Sequence, residues 1–66
     1  MEITLNGETR QLPDDFTAAQ LVDLLDLGGK RMAMEINQEI VPRSTFNNTT
    51  IHPGDTIEIV GAIGGG

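Results

Sequence analysis

The sequence predicts an α+β domain: a mixed sheet of four to five strands with one main helix packed on one face. Three segments, Met1 to Asn6, Met32 to Asn37 and Thr56 to Val60, alternate apolar and polar residues with the period of a half-buried strand. Between the first two, Phe16 to Leu27 repeats its apolar residues at helical spacing. The order is ββαββ, then a short turn and a fifth strand or strand extension. A hairpin, a helix across it and further strands make a mixed sheet with the helix on one face.

The first strand turns Ile3 and Leu5 one way, Glu2 and Thr4 the other. Asn6-Gly7 follows, and both central residues of a type I′ hairpin turn need positive φ. Glu8 to Leu12 returns; its sparse apolar content marks an edge, and Pro13 ends the pairing. The helix opens with a capping box, Thr17 with Gln20, and Phe16 and Leu21 stand at the two positions of a hydrophobic staple. Ala18, Leu21 and Leu25 form its inner face, with Val22 and Leu24 on the flanks. Asp14 and Asp15 precede the positive end of the helix dipole, and Lys30 and Arg31 follow its negative end. Gly28-Gly29 is expected to supply the left-handed residue that stops the helix.

In the next strand Met32, Met34 and Ile36 share one face, and these methionines read as core filler more than as a partner surface. Asn37-Gln38-Glu39 is turn-like, and Ile40-Val41 is a short strand closed by Pro42. Arg43 to Asn48 reads as one irregular helical turn held by Phe46. Pro53-Gly54-Asp55 makes a tight turn. The last strand points Ile57 and Ile59 inward and Glu58 outward.

Sixty-six residues make one domain, 1–66, with 61–66 as a flexible tail. So small a chain buries only about 60% of the surface its unfolded form exposes. It contains no cysteine, hence no disulfide, thiolate metal site or thiol nucleophile, in keeping with a cytoplasmic setting. The net charge of −6 argues against nucleic acid and anionic membrane surfaces. It suits a basic protein partner, or solubility alone. No basic, apolar leader opens the chain, so no signal peptide is expected, and no apolar run approaches the length of a membrane span.

No catalytic constellation emerges. His52 is the only histidine and reads as a solvated loop residue; no metal site is expected. Ser44 has no base to activate it, and Gly28-Gly29-Lys30 lacks the pattern of a phosphate loop. Two features remain. Gly64-Gly65-Gly66 form a thread without side chains, thin enough for a narrow enzyme cleft and ending in a free carboxylate; a frayed terminus is the ordinary alternative. Val60, Ala62 and Ile63 flank it and cannot all turn inward on an alternating strand, so part of that set reads as a docking patch.

The ββαββ order, the Asn-Gly hairpin, the stretch EINQEIVPRSTF (35–46), the ending strand HPGDTIEIV (52–60) and the terminal GGG (64–66) together resemble the ThiS family, the sulfur carriers of thiamin biosynthesis. The resemblance covers the whole chain. It implies the ubiquitin-like β-grasp fold and a carrier rather than an enzyme. It implies that an adenylating, ubiquitin-activating-type (ThiF-like) enzyme uses ATP to activate the carboxylate of Gly66, no cofactor being bound by the carrier itself. Sulfur from a persulfide then displaces AMP, and a thiazole synthase (ThiG-like) consumes the thiocarboxylate. Gly65 completes the family's glycine pair; Gly64 is compatible with it. The same chemistry in another pathway, as in the small subunit of molybdopterin synthase, or a non-covalent β-grasp interaction module, are the alternatives.

Overall fold

The computed structural model describes residues 1–61. Its elements are β1 (Glu2–Leu5), β2 (Glu8–Gln11), α1 (Ala18–Leu24), β3 (Met32–Ile36), β4 (Glu39–Val41), a 3-10 helix (Arg43–Asn48) and β5 (Thr56–Gly61). Five strands form one sheet in the order β2-β1-β5-β3-β4. β1 and β5 run parallel and every other neighbouring pair is antiparallel, so the sheet is mixed. Gly61, expected to open the tail, instead closes β5 and pairs with Met32.

Local chemistry sets the turns. Asn6 and Gly7 have φ of 50° and 82°, the type I′ requirement. β2 is exposed along its length and occupies one edge, where its charges discourage further pairing. The turn between β3 and β4 also takes two left-handed residues, Asn37 (φ 52°) and Gln38 (φ 70°), without a glycine.

The helix starts as its sequence dictates and ends earlier. The Thr17 hydroxyl accepts from the Gln20 amide at 3.1 Å, and the Gln20 side chain accepts from the Thr17 amide at 2.8 Å. The residue that stops α1 is not in Gly28-Gly29. It is Asp26, at φ 58°. Its amide donates to Asp23 and the Leu27 amide donates back to Val22, the paired bonds of a Schellman motif. Leu27 packs on the core just beyond, and that apolar contact favours the early stop. The helix therefore has no basic residue in its last turn and no acidic one in its first. Lys30 and Arg31 lie six and seven residues past Leu24 and do not serve the dipole. Asp14 pairs instead with the N-terminal ammonium at 3.4 Å.

The core lies between α1 and one face of the sheet. Paired residues share a face, so Leu5–Ile57–Ile36 and Ile59–Met34–Val41 form two apolar rows across the strands. Ala18, Leu21 and Val22 of the helix are buried against this layer, Leu24 faces solvent, and Phe46 and Ile51 close its side. The loop before β5 is tied to the helix start: the Ile51 amide donates to Phe16 and the Ala18 amide to Thr49, both at 2.8 Å.

Candidate functional site: the outer sheet face and the end of β5

β5 is the strand that leads to residues 62–66. It lies at the centre of the sheet, between β1 and β3. Its start is fixed by side chains from distant turns. The Asp55 carboxylate, nearly buried, accepts from the His52 amide at 2.8 Å and from the Asn37 side chain at 3.0 Å. The Asn37 carbonyl oxygen accepts in turn from the Thr56 amide at 3.0 Å. Further along, pairing with β1 ends at Leu5–Ile57, where the chain turns away at Asn6. The Asn6 side chain takes over as acceptor for the Ile59 amide at 2.8 Å. On its other flank β5 stays paired with β3 as far as Gly61. The strand is thus held rigidly up to the last described residue.

The face opposite the helix carries the expected docking residue. Val60 is 60% exposed and stands beside Ala33 of β3. Ala62, Ile63, Gly64, Gly65 and Gly66 lie outside the described residues. Ile40 of β4 is 74% exposed on the same face, opposite Glu35. Its Cα is a diagonal neighbour of Ala33, about 7–8 Å away for such pairs. Sequence reading gave Ile40 no role, although adjacent apolar residues in one strand must point to opposite faces, so one of Ile40 and Val41 had to be exposed. Between the apolar residues, Glu35 and Glu58 stand directly opposite each other. Such like-charge pairs are mildly destabilising, so this face is not built for stability alone.

A shallow groove runs beside the end of β5, lined by Arg31, Met32, Ala33, Arg43, Val60 and Gly61. The Arg43 guanidinium is fixed there by donating to the Lys30 carbonyl at 2.7 Å. Arg31 and Arg43 are not among the expected docking residues; they line the same groove because the Arg43 side chain reaches across to the Lys30 carbonyl, next to Arg31. His52 is exposed on its loop, and among the described residues no group of three His, Asp or Glu side chains is placed to hold a metal ion. Among the same residues no helix is long and apolar enough to cross a membrane.

A mixed sheet ordered β2-β1-β5-β3-β4 around one capped helix, with a central strand feeding the C-terminal segment, is the β-grasp of ubiquitin-like proteins. The chain belongs to the ThiS family, whose family model matches residues 3–66. It superimposes on the crystal structure of the thiamine biosynthesis protein ThiS from Geobacter metallireducens with a TM-score of 0.86 and 28% identity, each chain covered completely. It is 33% identical to the sulfur carrier protein ThiS of Escherichia coli K12 over the full length of both. It is also 38% identical, over all 66 residues, to part of a thiazole synthase from Paramagnetospirillum magneticum, and spans about a fifth of that protein's length.

Proposed function

We propose that this chain is the sulfur carrier of thiamine biosynthesis, a protein co-substrate rather than an enzyme. Its reactive group is the α-carboxylate of Gly66, and Gly64 and Gly65 form the thread that delivers it. The observation that carries this reading is the family match, which runs through the terminal glycines. The physical logic agrees. A carboxylate is a poor electrophile because its leaving group would be oxide. A ThiF-like partner converts it, with ATP, into an acyl adenylate and releases pyrophosphate. The outer sulfur of the donor persulfide attacks the carbonyl carbon and the C–O bond to AMP breaks, leaving an acyl disulfide. A second thiol then attacks the donor's sulfur, and the S–S bond breaks with its electron pair on the acyl-bound sulfur. A thiocarboxylate and a separate disulfide remain. No cysteine is present to hold sulfur as a persulfide on this chain, which leaves the terminus as the carrying group.

The consumer of the sulfur is a ThiG-like thiazole synthase. The support is that thiazole synthases of two bacteria contain a segment similar to this whole chain within a longer polypeptide. Joining the two in one chain raises the effective concentration of one for the other. The setting is the cytoplasm, where thiols and ATP are available. The partners dock on the outer sheet face around Val60, with Ala62 and Ile63 completing the patch. Intact-mass measurement tests the proposal. After incubation with ATP, a sulfur donor and the ThiF-like enzyme, the mass should rise by the difference between sulfur and oxygen, mapped to the C-terminal peptide. Removal of Gly65 and Gly66 should abolish the gain while the domain stays folded. Sulfur transfer that survives the deletion would end the carrier reading; an unchanged mass with an active partner would favour a non-covalent module.

A further inference from the structure

We infer that the groove beside the end of β5 is a docking site for an acidic segment of the partner that activates the terminus. In this site Arg31 and Arg43 hold a partner carboxylate, and Ala33 and Val60 form an apolar floor for the side chain next to it. The inference rests on the carrier reading and names the chemistry of the surface that reading requires.

Three observations carry it. The first is charge distribution. The chain has ten acidic residues and four basic ones, and three of the four (Lys30, Arg31 and Arg43) gather at this end of the sheet. An acidic partner surface is repelled by most of the molecule and attracted chiefly here, which favours one orientation as well as a faster encounter. The second is that, among the described residues, these cations are not used in ion pairs or at a helix end. They do not serve the helix dipole, because α1 ends at Leu24. Among the described residues none of them joins an ion pair; the one that forms is between the N-terminus and Asp14. The third is preorganisation. Arg43 is held by the Lys30 carbonyl at 2.7 Å through one nitrogen. A guanidinium carries five N–H donors, so this bond sets its direction and leaves donors for a bidentate carboxylate.

Position selects a protein carboxylate over the phosphates of the nucleotide. The groove touches Val60 and Gly61, whereas the reacting carboxylate belongs to Gly66. Five residues span at most about 17 Å, so a cleft that draws them out straight holds that carboxylate beyond hydrogen-bonding range of the guanidinium groups. A partner that draws residues 62–66 out into a cleft would bring its rim towards Arg31 and Arg43, while the chemistry proceeds at the far end of the segment.

The test compares the full chain with the double variant Arg31→Glu, Arg43→Glu, using the purified ThiF-like enzyme as the probe. Thermal unfolding first establishes that the variant folds; if it does not, Arg31→Gln, Arg43→Gln takes its place. The association rate measured between low and high salt should fall at least tenfold in the variant at low salt, and its decrease with added salt should flatten or reverse, because salt then screens repulsion. Sulfur loading of the variant should recover at saturating carrier concentration. Unchanged association rate and salt slope in a folded variant would overturn the inference. So would a raised KM for ATP with normal association, which would place a phosphate in the groove. So would a defect seen only with thiazole synthase. Loading of the unaltered chain, read by intact mass in the same experiment, separates the two levels. If it fails, the carrier reading falls; if it succeeds while the variant associates normally, only the groove assignment falls.

Discussion

The two faces of the sheet use the same strands and opposite chemistry. On the inner face of β3 and β5, Met34 and Ile57 are fully buried and every cross-strand pair is apolar apart from the one at Gly61. On the outer face, one residue along each strand, the pairs are Glu35 with Glu58 and Ala33 with Val60. A polar, exposed outer face is what an antiparallel pair ordinarily shows. Two facing glutamates and two prominent aliphatics are not the arrangement that maximises stability. The inner face holds the fold together; the outer face carries exposed Val60 and Ile40 and is where the proposed partners dock. Five substitutions test that division.

The largest effect belongs to the inner side. Leu21 is fully buried between helix and sheet, and Leu21→Ala should cost about 2–5 kcal/mol, the range for such large-to-small core changes. Denaturant unfolding measures it. In a domain of this size that is a large part of the total stability. A near-silent result would mean that the helix does not depend on this side chain to cover the sheet.

The next effect falls on the frame that supports both faces. Asp55→Ala removes the acceptor of two hydrogen bonds, from the His52 amide and the Asn37 side chain. Bonds to a charged group contribute about 1.5–3 kcal/mol, so a loss in that range is expected. Asn37 would also lose the partner that orients it towards the Thr56 amide. Hydrogen exchange should therefore quicken at Thr56 and at the Asn37–Gln38 turn before it does at Ile57. Uniform exchange across β5 would show that Asp55 does not act locally.

How much of this was legible in the sequence follows from how far each feature reaches. Asn6-Gly7 and the Thr17–Gln20 box depend on residues within one turn, and both form as read. A mixed sheet of four to five strands is read from the order of hairpin, helix and further strands, and five form. The helix end did not, because the glycine pair at 28–29 is the stronger local signal for a left-handed residue, while Asp26 is chosen by the packing of Leu27 on the core. The glycine-free turn at Asn37-Gln38 depends on Asp55 and Thr56, eighteen and nineteen positions away. At the site, the exposure of Val60 could be read from strand period alone. The pairing of Ile40 with Glu35, and the meeting of Arg31 with Arg43, require strand order and register, which no local pattern contains.

A smaller effect of opposite sign is expected at the acidic pair. Glu58→Lys turns the facing carboxylates of Glu35 and Glu58 into an opposite-charge pair. Cross-strand terms of this kind are about 0.2–1 kcal/mol, so the variant should be more stable by up to about 1 kcal/mol. The gain should shrink as salt is added, since exposed charges are screened over about 10 Å at 0.1 M. A loss of stability would mean that the two carboxylates do not meet as the register places them.

The smallest stability effect is expected at Val60, and comparing it with its neighbour Ile59 on β5 is the sharpest test of the contrast between faces. Ile59 points into the core beside Met34, while Val60 points outward beside Ala33. Ile59, partly buried against the core, receives an unpaired charge beside an apolar layer in Ile59→Asp, which is unfavourable. That variant should lose clearly more stability than Val60→Asp, though less than Leu21→Ala. Val60→Asp, at a site 60% exposed, should shift stability by no more than about 0.5 kcal/mol, as surface changes usually do. Its effect should appear instead in function. A charge at the centre of an apolar contact resists desolvation when a partner covers it, so the variant should bind the ThiF-like enzyme more weakly and load sulfur more slowly at limiting carrier, with normal loading at saturation. Equal destabilisation by the two variants would make the outer face part of the core. A stable Val60→Asp variant with unaltered binding would keep the fold's two faces and move the docking surface away from β5.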